Sequence, residues 1–277
     1  MNPDEYCQQK AAASGSSLHY SLLFLPPERR HAVTALYALR REVREVVEEC
    51  SELQVAHAKL AWWRTELASL RAGRPHHPVA KALAPHIEKF GISAERLDEI
   101  ISGAETDLAQ TRYLDFAALE RYCSGAAGAA GLLAAGIFGY GEPRTLEYAK
   151  HLATALQLTE LICNVGEDAR RNRIYLPMDE MKQFEVPAAD ILQARTSEQF
   201  TKLMAFQARR VESFYEKAMQ SLPAEDRRAQ RPGLIMAAIQ RATLAEVARD
   251  GCKVLTERTS LTPLRKLWIA WRVWVGA

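Results

Sequence analysis

A stretch early in this 277-residue chain carries charged side chains at the spacing of one helix face. It reads RREVREVVEEC over residues 40–50. Residues four apart share one face of a helix, so positions 44 and 48 lie one turn apart, as do positions 45 and 49. We therefore expect Arg41, Arg44, Glu45 and Glu48 to project broadly to one side of a helix.

A second charged stretch, QLTELICNVGEDARRNRIYLP, covers residues 157–177. Its positions 157, 160, 164 and 168 form another ladder on one helix face, and arginines follow directly at positions 170, 171 and 173. A glycine costs about 1 kcal/mol in a helix interior. The presence of Gly166 in this stretch therefore predicts a close approach by another backbone or by a ligand.

Two helices that each present carboxylates in this way can share magnesium ions between them. Magnesium prefers hard oxygen ligands and commonly completes its octahedron with substrate phosphates. Arginine binds phosphate oxygens through paired hydrogen bonds, so the nearby arginines and Tyr175 are candidates for holding a diphosphate. The same patterns also fit solvated helix faces with weak ion pairs, and spacing alone does not decide between the two.

Helical periodicity dominates the rest of the chain, and runs of alternating strand character are missing. Prolines, glycines and caps mark where helices begin and end. After a short opening helix at Asn2-Pro3, they predict longer helices over residues 27–50, 52–70, 78–90, 94–109, 116–138, 143–168, 198–222 and 232–255. The stretch 172–197 is the least regular, and a last short helix closes the chain. We predict a single all-α domain over residues 1–277.

Composition excludes several classes of protein. The formal net charge of +2 lacks the strongly basic balance of a nucleic-acid-binding protein. The five cysteines are widely spaced and form no CxxC pair, which argues against a zinc site or a disulfide framework and favours a reducing cytoplasm. The most apolar run, residues 126–138, is shorter than the ~20 residues of a membrane span. Its Ala and Gly content predicts a helix packed closely against its neighbours.

The segment NVGEDARRNRIYLP closely resembles the second signature of the squalene/phytoene synthase family. Other blocks similar to that family are SGSSLHYSLLFLPPERRHAVTALYAL, KLAWWRTEL, DLAQTRYLDFAALERYC, RPGLIMAAIQRA and LTPLRKLWIAW. These blocks run from the N-terminus almost to the last residue, so the resemblance covers nearly the whole chain. It looks most like the bacterial presqualene-diphosphate (squalene-forming) branch found with hopanoid synthesis.

The resemblance implies an all-α isoprenoid-synthase fold, a helical bundle around a central cavity. Active members condense two prenyl diphosphates head to head, typically two farnesyl diphosphates. Two Asp-x-x-x-Asp motifs facing across the cavity bind magnesium and diphosphate, and the apolar lower cavity holds the prenyl tails. The implied cofactor of an active chain is Mg²⁺, with NADPH only if squalene is the product.

Many positions match the residues that surround the diphosphates in the family. The matching positions are Ser17, Tyr20, Ser21, Arg41, Gln157, Arg170, Arg171 and Tyr175. Tyr122 also matches a segment that usually carries aromatic residues in the family. If the chain is active, the resemblance makes Tyr122 and Gln157 its candidate catalytic residues.

The first metal motif departs from the family pattern. The family has aspartates at the positions of Arg44 and Glu48, so Glu48 keeps an acid whereas Arg44 reverses the charge. Glu45 stands where an aspartate is common. A guanidinium close to Mg²⁺ repels it, since two unit charges 4 Å apart interact by about 4 kcal/mol at an effective dielectric of ~20. Arg44 can instead bind a diphosphate directly, standing in for the cation.

The second metal motif is altered as well. Asn164 replaces its first aspartate, whereas Asp168 remains with Glu167 beside it. The family's usual asparagine and arginine appear here as Glu160 and Cys163. We predict that the Glu160 carboxylate pairs with an arginine across the cavity, namely the one at position 44. The acids left to bind a metal are then Glu45, Glu48, Glu167 and Asp168.

Three functions remain open. The first, which we favour, is a catalytically degenerate member that binds a prenyl lipid or prenyl diphosphate, or that partners an active paralogue or a second copy of itself. The second is an active prenyltransferase that makes presqualene diphosphate or squalene from farnesyl diphosphate with an altered metal demand. The third is a scaffold or assembly protein without any prenyl ligand.

The closing segment, LTPLRKLWIAWRVWVGA, combines three tryptophans with Arg265, Lys266 and Arg272. Tryptophans at such spacing commonly pack into a core, and we expect that here. The alternative is a peripheral contact with the inner face of a membrane, which suits a short basic helix bearing tryptophans. The N-terminus, MNPDEYCQQK, lacks the basic start and apolar stretch of a signal peptide, so the predicted location is the cytoplasm.

Overall fold

The computed structural model describes residues 1–13, 16–50 and 52–276, which are helical almost throughout. The α-helices described there, in chain order, are α1 (Pro3–Ala11), α2 (Ser17–Leu22), α3 (Pro27–Glu49), α4 (Leu53–Arg71), α5 (Pro78–Leu83), α6 (Ala94–Ala109), α7 (Phe116–Ala126), α8 (Gly128–Phe138), α9 (Thr145–Cys163), α10 (Val165–Arg170), α11 (Met178–Gln183), α12 (Ala188–Leu192), α13 (Glu198–Ser221), α14 (Arg231–Arg249) and α15 (Pro263–Gly276). The predicted all-α fold is confirmed.

Caps and prolines set the starts of the first helices. The Asn2 side chain accepts a hydrogen bond from the Asp4 amide at 2.8 Å, and Glu5 accepts one from the Asn2 amide at 3.1 Å. This capping box satisfies amides that the first turn of α1 leaves without a partner. Helix α3 begins at Pro27, whose fixed φ suits a first turn. Both predicted starts are therefore confirmed.

Helix α8 lies against both α3 and α9, the two helices that carry the charged stretches. A Cβ atom on Gly131 of α8 would lie only 2.7 Å from the Cβ of Ala153 on α9. Only a glycine permits this approach, because real Cβ atoms do not come so close. The Ala- and Gly-rich run therefore serves close helix packing, as predicted.

The buried side chains form two large clusters. One surrounds α9 and α13 and includes the fully buried Tyr148, Phe200 and Tyr215. The other surrounds α3 and α4 and includes Leu36 and Leu60. Helix α8 contributes side chains to both clusters, so it joins the two sides of the molecule and holds α3 and α9 at a fixed separation.

Four of the predicted helices end or break earlier than expected. The helix expected over residues 78–90 ends at Leu83 and continues as a 3₁₀ turn over Ala84–His86. The one expected over 116–138 is divided into α7, which ends at Ala126, and α8, which begins at Gly128. The third, over 143–168, is interrupted at Asn164, where α9 ends and α10 follows.

The interruption at Asn164 has an identifiable cause in a distant segment. Helix α14, predicted to extend to residue 255, ends at Arg249, and the chain then turns back toward α10. The amide of Gly166 donates to the carbonyl oxygen of Val254 at 3.1 Å. A Cβ on Gly166 would lie 2.2 Å from the Leu255 carbonyl oxygen. The close backbone approach predicted at Gly166 is confirmed, and the approaching group is a backbone.

Within the described residues, no helix combines the length and the apolar character that crossing a membrane requires.

Candidate functional site

A cavity of about 570 Å³ lies among helices α2, α3, α8, α9 and α14. Part of its wall is small or apolar, with side chains from α8 and α9 that include Ala130, Ala134, Phe138, Leu152 and Leu156. Another part is polar and comes mainly from α3, α9 and residues 258–260. Pockets for small ligands usually hold roughly 300–1,000 Å³, so the volume suits a small molecule with one apolar and one charged end.

Arg44 is a central charge of the polar wall. Its Nε donates to Oε1 of Glu48, one turn later on α3, and its Nη1 donates to Oε1 of Glu160 on α9. Charge-assisted hydrogen bonds of this kind are about twice as strong as neutral ones. The predicted pairing of Arg44 with Glu160 is confirmed.

A second arginine of α3 reaches the same carboxylate. Nη2 of Arg40 lies 2.7 Å from Oε1 of Gln157 and 3.4 Å from Oε2 of Glu160. The two arginines are four residues apart and therefore share one face of α3. Glu160 thus lies between two guanidinium groups, with one oxygen toward each.

These two arginines control the charge of Glu160. Burial by itself raises the pKa of the Glu160 carboxyl, but the guanidiniums of Arg44 and Arg40 outweigh burial and hold that pKa at about 2. Burial likewise opposes the charge of Arg44, and the carboxylates of Glu160 and Glu48 overcome it, which leaves the pKa of Arg44 well above its usual value. At neutral pH the group is therefore a fully ionised network.

Asp168 of α10 is a buried carboxyl with one oxygen atom that makes no hydrogen bond. It is 5% exposed, and its Oδ2 atom has no hydrogen-bond partner. Burial raises the pKa of Asp168 to about 7; the charge of Arg44 partly offsets the burial, whereas Glu160 adds to it. Near neutral pH this carboxyl is therefore partly protonated, unlike an ordinary aspartate.

The remaining predicted metal ligands hold other partners. Glu45 accepts hydrogen bonds from the Lys10 ammonium and from Nε of Arg41, the latter at 2.9 Å. Burial raises the pKa of Glu45, but these two cations bring it below its usual value. Glu167 lies with Oε1 3.9 Å from Nη1 of Arg258. Both carboxylates therefore face cations of this chain.

The acids of the two stretches do not fit a magnesium ion. Mg²⁺ requires oxygen ligands in near-octahedral geometry, whereas guanidinium and ammonium groups engage the oxygens of Glu45, Glu48 and Glu160. Across residues 1–13, 16–50 and 52–276 there is no group of three or more His, Cys, Asp or Glu side chains able to hold a metal ion. A guanidinium stands at the centre of the charged group instead.

A cluster of tyrosines lies beyond the arginines and surrounds Asp107 of α6. This carboxylate accepts hydrogen bonds from the hydroxyls of Tyr175 at 2.7 Å and Tyr122 at 3.2 Å, and from Nη1 of Arg173 at 3.0 Å. The rings of Tyr122 and Tyr175 stack with centroids 5.4 Å apart. Burial keeps the pKa of Asp107 above its usual value although these three donors lower it.

Backbone pairing brings Tyr175 to this cluster. The Ile174 amide donates to the carbonyl of Thr111 at 3.1 Å, and the Met178 amide donates to the carbonyl of Tyr113 at 2.9 Å. The chain after α10 therefore runs beside the loop between α6 and α7 and turns the Tyr175 side chain toward α6.

A model of the squalene/phytoene synthase family matches residues 11–265 of this chain. The chain belongs to this family. Among its relatives, the phytoene synthase of Arthrospira platensis is 30% identical over 276 residues, which cover 95% of this chain and 89% of that protein. The 15-cis-phytoene synthase of Synechocystis is 28% identical, with 96% of this chain and 84% of that protein covered. As a squalene/phytoene synthase family member, the protein is one of isoprenoid metabolism.

Solved structures show the same fold at lower identity. A dehydrosqualene synthase in complex with a ligand superposes with a TM-score of 0.86 at 23% identity, covering 98% of this chain and 95% of that one. The squalene synthase HpnC from Alicyclobacillus acidocaldarius superposes with a TM-score of 0.76 at 24% identity, covering 90% and 94%. The all-α isoprenoid-synthase fold is therefore shown.

The cavity of this family member collects many of the residues singled out from the sequence. Those on its wall are Ser17, Ser21, Arg41, Arg44, Gln157, Glu160, Cys163 and Asn164. Burial raises the pKa of the Cys163 thiol to about 12, so this side chain is a neutral part of the wall. The sequence comparison thus located one coherent surface across α2, α3 and α9.

Other predicted residues lie elsewhere. Arg170 and Arg171 are exposed at the end of α10 and do not line the cavity, and Tyr20 packs beside the small cluster around Ile235 and Ile239. Tyr122 and Tyr175 belong to the Asp107 cluster rather than to the cavity wall. The catalytic role predicted for Tyr122 and the diphosphate-binding roles predicted for the other residues stay predictions.

Sequence reasoning missed several charged residues of the site. Arg40 had a usable signal, since it precedes Arg44 by one helical turn on the same face. Lys10, Arg258 and Lys266 also line the cavity, but they come from α1, from the loop after α14 and from α15. No local pattern brings such distant segments together, so only the fold reveals these cations.

Proposed function

We propose that this family member no longer carries out a metal-dependent condensation and instead binds the diphosphate of a prenyl ligand through its own cations. The observation that supports this most is the position of Arg44. Its guanidinium lies between Glu48 and Glu160, at a motif position where the family has a metal-binding aspartate. The Arg44 side chain itself therefore supplies the positive charge that a metal ion would bring to the site.

The charge balance of the cavity supports an anionic ligand. The cations on the described wall are Lys10, Arg40, Arg41, Arg44, Arg258 and Lys266. Glu160 is the one carboxylate among the described wall residues. Arginine suits phosphate oxygens because its planar fork donates two parallel hydrogen bonds. Two carboxylates outside the wall, Glu45 and Glu48, also accept hydrogen bonds from some of these cations. A diphosphate would compete with the carboxylates for these donors.

The apolar wall supports a prenyl chain as the other half of the ligand. The alanines of α8 and its Gly131 contribute small side chains to the wall, and Phe138, Leu152 and Leu156 supply larger apolar surface. Burying an apolar tail contributes roughly 25 cal/mol per Å² of surface removed from water. The tail would therefore provide affinity, while the cations orient the diphosphate.

Product analysis tests the loss of catalysis. Purified protein is incubated with farnesyl diphosphate, Mg²⁺ or Mn²⁺ and NADPH, and products are followed by mass against a boiled control. We expect no presqualene diphosphate and no squalene. Turnover above the control would overturn this part of the proposal and restore the active prenyltransferase.

A reversion series shows whether the altered motifs cause the loss. The triple variant Arg44→Asp/Glu160→Asn/Asn164→Asp restores the residue types that the resemblance assigns to these positions. Activity gained by the triple variant would show that the charged network prevents catalysis. The single variant Asn164→Asp is the matched control, because it restores one family residue type while Arg44 and Glu160 stay paired, and we expect it to stay inactive.

Titration calorimetry tests binding itself. Farnesyl diphosphate is titrated in EDTA and again in Mg²⁺, and we expect the same affinity within about twofold. The double variant Arg44→Gln/Glu160→Gln removes the cation with its counter-ion and should weaken binding roughly 10- to 100-fold, the usual range for hydrogen bonds to charged groups. Arg71→Gln, at an exposed pair with Asp98, is the control. No binding by folded protein would favour the ligand-free scaffold.

A further inference from the structure

The last helix, α15, exposes a row of large apolar side chains. The exposed fractions are 80% for Leu264, 41% for Leu267, 56% for Trp268, 47% for Trp271 and 64% for Val275. The steps between them are three, one, three and four residues, which is the spacing of one helix face. With a rise of about 1.5 Å per residue, this face is about 16 Å long. We call these five side chains the outer face of α15.

The opposite face already holds α15 on the protein. Ala270 is fully buried, and Trp274 stacks on Phe24 with ring centroids 5.0 Å apart. The guanidinium of Arg231 lies 4.8 Å from the Trp274 ring. These contacts attach α15 to α14 and to the loop after α2. The outer face is therefore not needed to anchor the helix, and the expectation that the tryptophans of this segment pack into the core is wrong for Trp268 and Trp271.

The two exposed tryptophans form a pair. Their ring centroids lie 5.1 Å apart with an interplanar angle of 30°, so the indoles stack on each other and project together. Indole rings favour the boundary between water and lipid, since one edge is apolar and the N–H donates a hydrogen bond. A stacked pair at the middle of an apolar row is suited to that boundary.

The charges of α15 all have one sign. Residues 263–276 contain Arg265, Lys266 and Arg272 and neither aspartate nor glutamate. Arg272 is exposed, and Arg265 reaches Glu246 of α14 at 2.6 Å. Near an anionic lipid surface each Lys or Arg contributes about a fivefold increase in partitioning. An apolar row beside cations therefore complements an anionic bilayer.

The outer face is also continuous with the cavity. Lys266 lines the cavity from the first turn of α15, and the preceding residues Ser260 and Leu261 line it as well. Leu267, the next residue along the helix, is exposed on the outer face. The cavity wall and the apolar row thus meet at two consecutive residues of α15.

We infer that the outer face of α15 docks on the surface of an anionic lipid bilayer and places the cavity beside it. The helix lies in the plane of the interface and does not cross it. Burial of the two indoles and of the aliphatic side chains supplies the apolar contact, and Arg272 supplies charge attraction to the headgroups. This docking does not depend on which ligand the cavity holds.

Vesicle flotation of the full chain tests the inference. Vesicles of zwitterionic phosphatidylcholine are compared with vesicles that also contain anionic phosphatidylglycerol. We expect co-flotation with the anionic vesicles and at least about fivefold weaker partitioning to the zwitterionic ones. Trp268→Ser/Trp271→Ser should reduce partitioning to anionic vesicles by about tenfold or more, because two indoles no longer enter the interface.

Two control variants separate docking from general effects. Trp62 on α4 is 48% exposed, so Trp62→Ser removes an equally exposed indole from another surface and should float like the unchanged protein. Arg272→Gln should weaken partitioning about fivefold on anionic vesicles and leave it unchanged on zwitterionic ones. Circular dichroism and the unfolding midpoint verify that each variant is folded.

Three results would overturn the inference. The first is absence of flotation with anionic vesicles, and the second is an equal loss for Trp62→Ser and for the α15 double variant. The third is a concentration-dependent dimer, seen by light scattering without lipid, that the double variant abolishes. That last result would assign the outer face to a second copy of the chain.

Discussion

Nη1 of Arg44 on α3 donates to Oε1 of Glu160 on α9, and this ion pair spans the cavity between two helices that make few direct contacts. Each charge is the counter-ion of the other, so changing one of these two residues changes the electrostatic environment of the other. This coupling makes Glu160 a competitor of any anion that enters the cavity.

Neutralising the competitor should strengthen anion binding. In Glu160→Gln the guanidiniums of Arg44 and Arg40 lose their shared carboxylate and become available to a diphosphate. We expect affinity for farnesyl diphosphate to rise roughly 5- to 30-fold, corresponding to about 1–2 kcal/mol. Calorimetry in EDTA measures the change. Glu198→Gln, at an exposed pair with Lys202, serves as the control and should have no effect; unchanged affinity in Glu160→Gln would place the diphosphate elsewhere.

The same pair should stabilise the fold above a defined pH. The folded-state pKa of Glu160 is about 2, below its ordinary 4.5. Its contribution is therefore complete above pH 4.5 and is lost as pH falls toward 2. We expect unchanged protein to lose about 1–2 kcal/mol more than Glu160→Gln between pH 5 and pH 3, in urea unfolding. Parallel losses in both proteins would contradict the assignment.

Asp168 should show the opposite dependence. Its folded-state pKa of about 7 lies above its ordinary 3.8. The folded state therefore retains a proton that the unfolded state releases, and stability from this group declines as pH rises from about 4 to 7. We expect Asp168→Asn to gain on the order of 2–4 kcal/mol relative to unchanged protein between pH 4 and pH 8. Unfolding free energies at both pH values measure it, and a constant difference would show that Asp168 titrates normally.

Gly166 permits the backbone contact that ends the long helix. Gly166→Ala places a Cβ 2.2 Å from the Leu255 carbonyl oxygen, so a backbone must shift. We expect a loss of about 2 kcal/mol or more in the free energy of unfolding. Gly125→Ala is the matched control, because its Cβ would have no neighbour within 4 Å. That control should be neutral or gain up to about 1 kcal/mol; equal effects at both sites would exclude the contact as the cause.

Much of the architecture is local in origin, and that part could be predicted. Pro27 and the Asn2-Pro3 cap place two helix starts, and periodicity identifies α3, α6 and α13 almost to their ends. The break at Asn164 could not be predicted, because an asparagine is compatible with a helix and its cause lies in the backbone of Val254. Contacts between distant segments leave no local pattern.

The candidate site, too, could be predicted from the sequence only in part. The facing of Arg44 and Glu160 followed from helix spacing together with the family resemblance. The role of Asp107 could not be predicted, because its partners Tyr122 and Tyr175 belong to different segments that come together only in the folded chain. Trp268 and Trp271 have the spacing of buried residues, and only the position of α14 decides which face of α15 is covered.

The contact of Arg44 with two carboxylates has a consequence for the order in which substitutions are tolerated. Arg44→Asp alone would put a new negative charge beside Glu48 and Glu160 and remove the charge that now neutralises them. Like charges at such distances repel, so this single variant is expected to be less stable than the unchanged protein. A neutral residue at position 160 would relieve part of that repulsion, so a change at position 44 is tolerated better when position 160 changes with it.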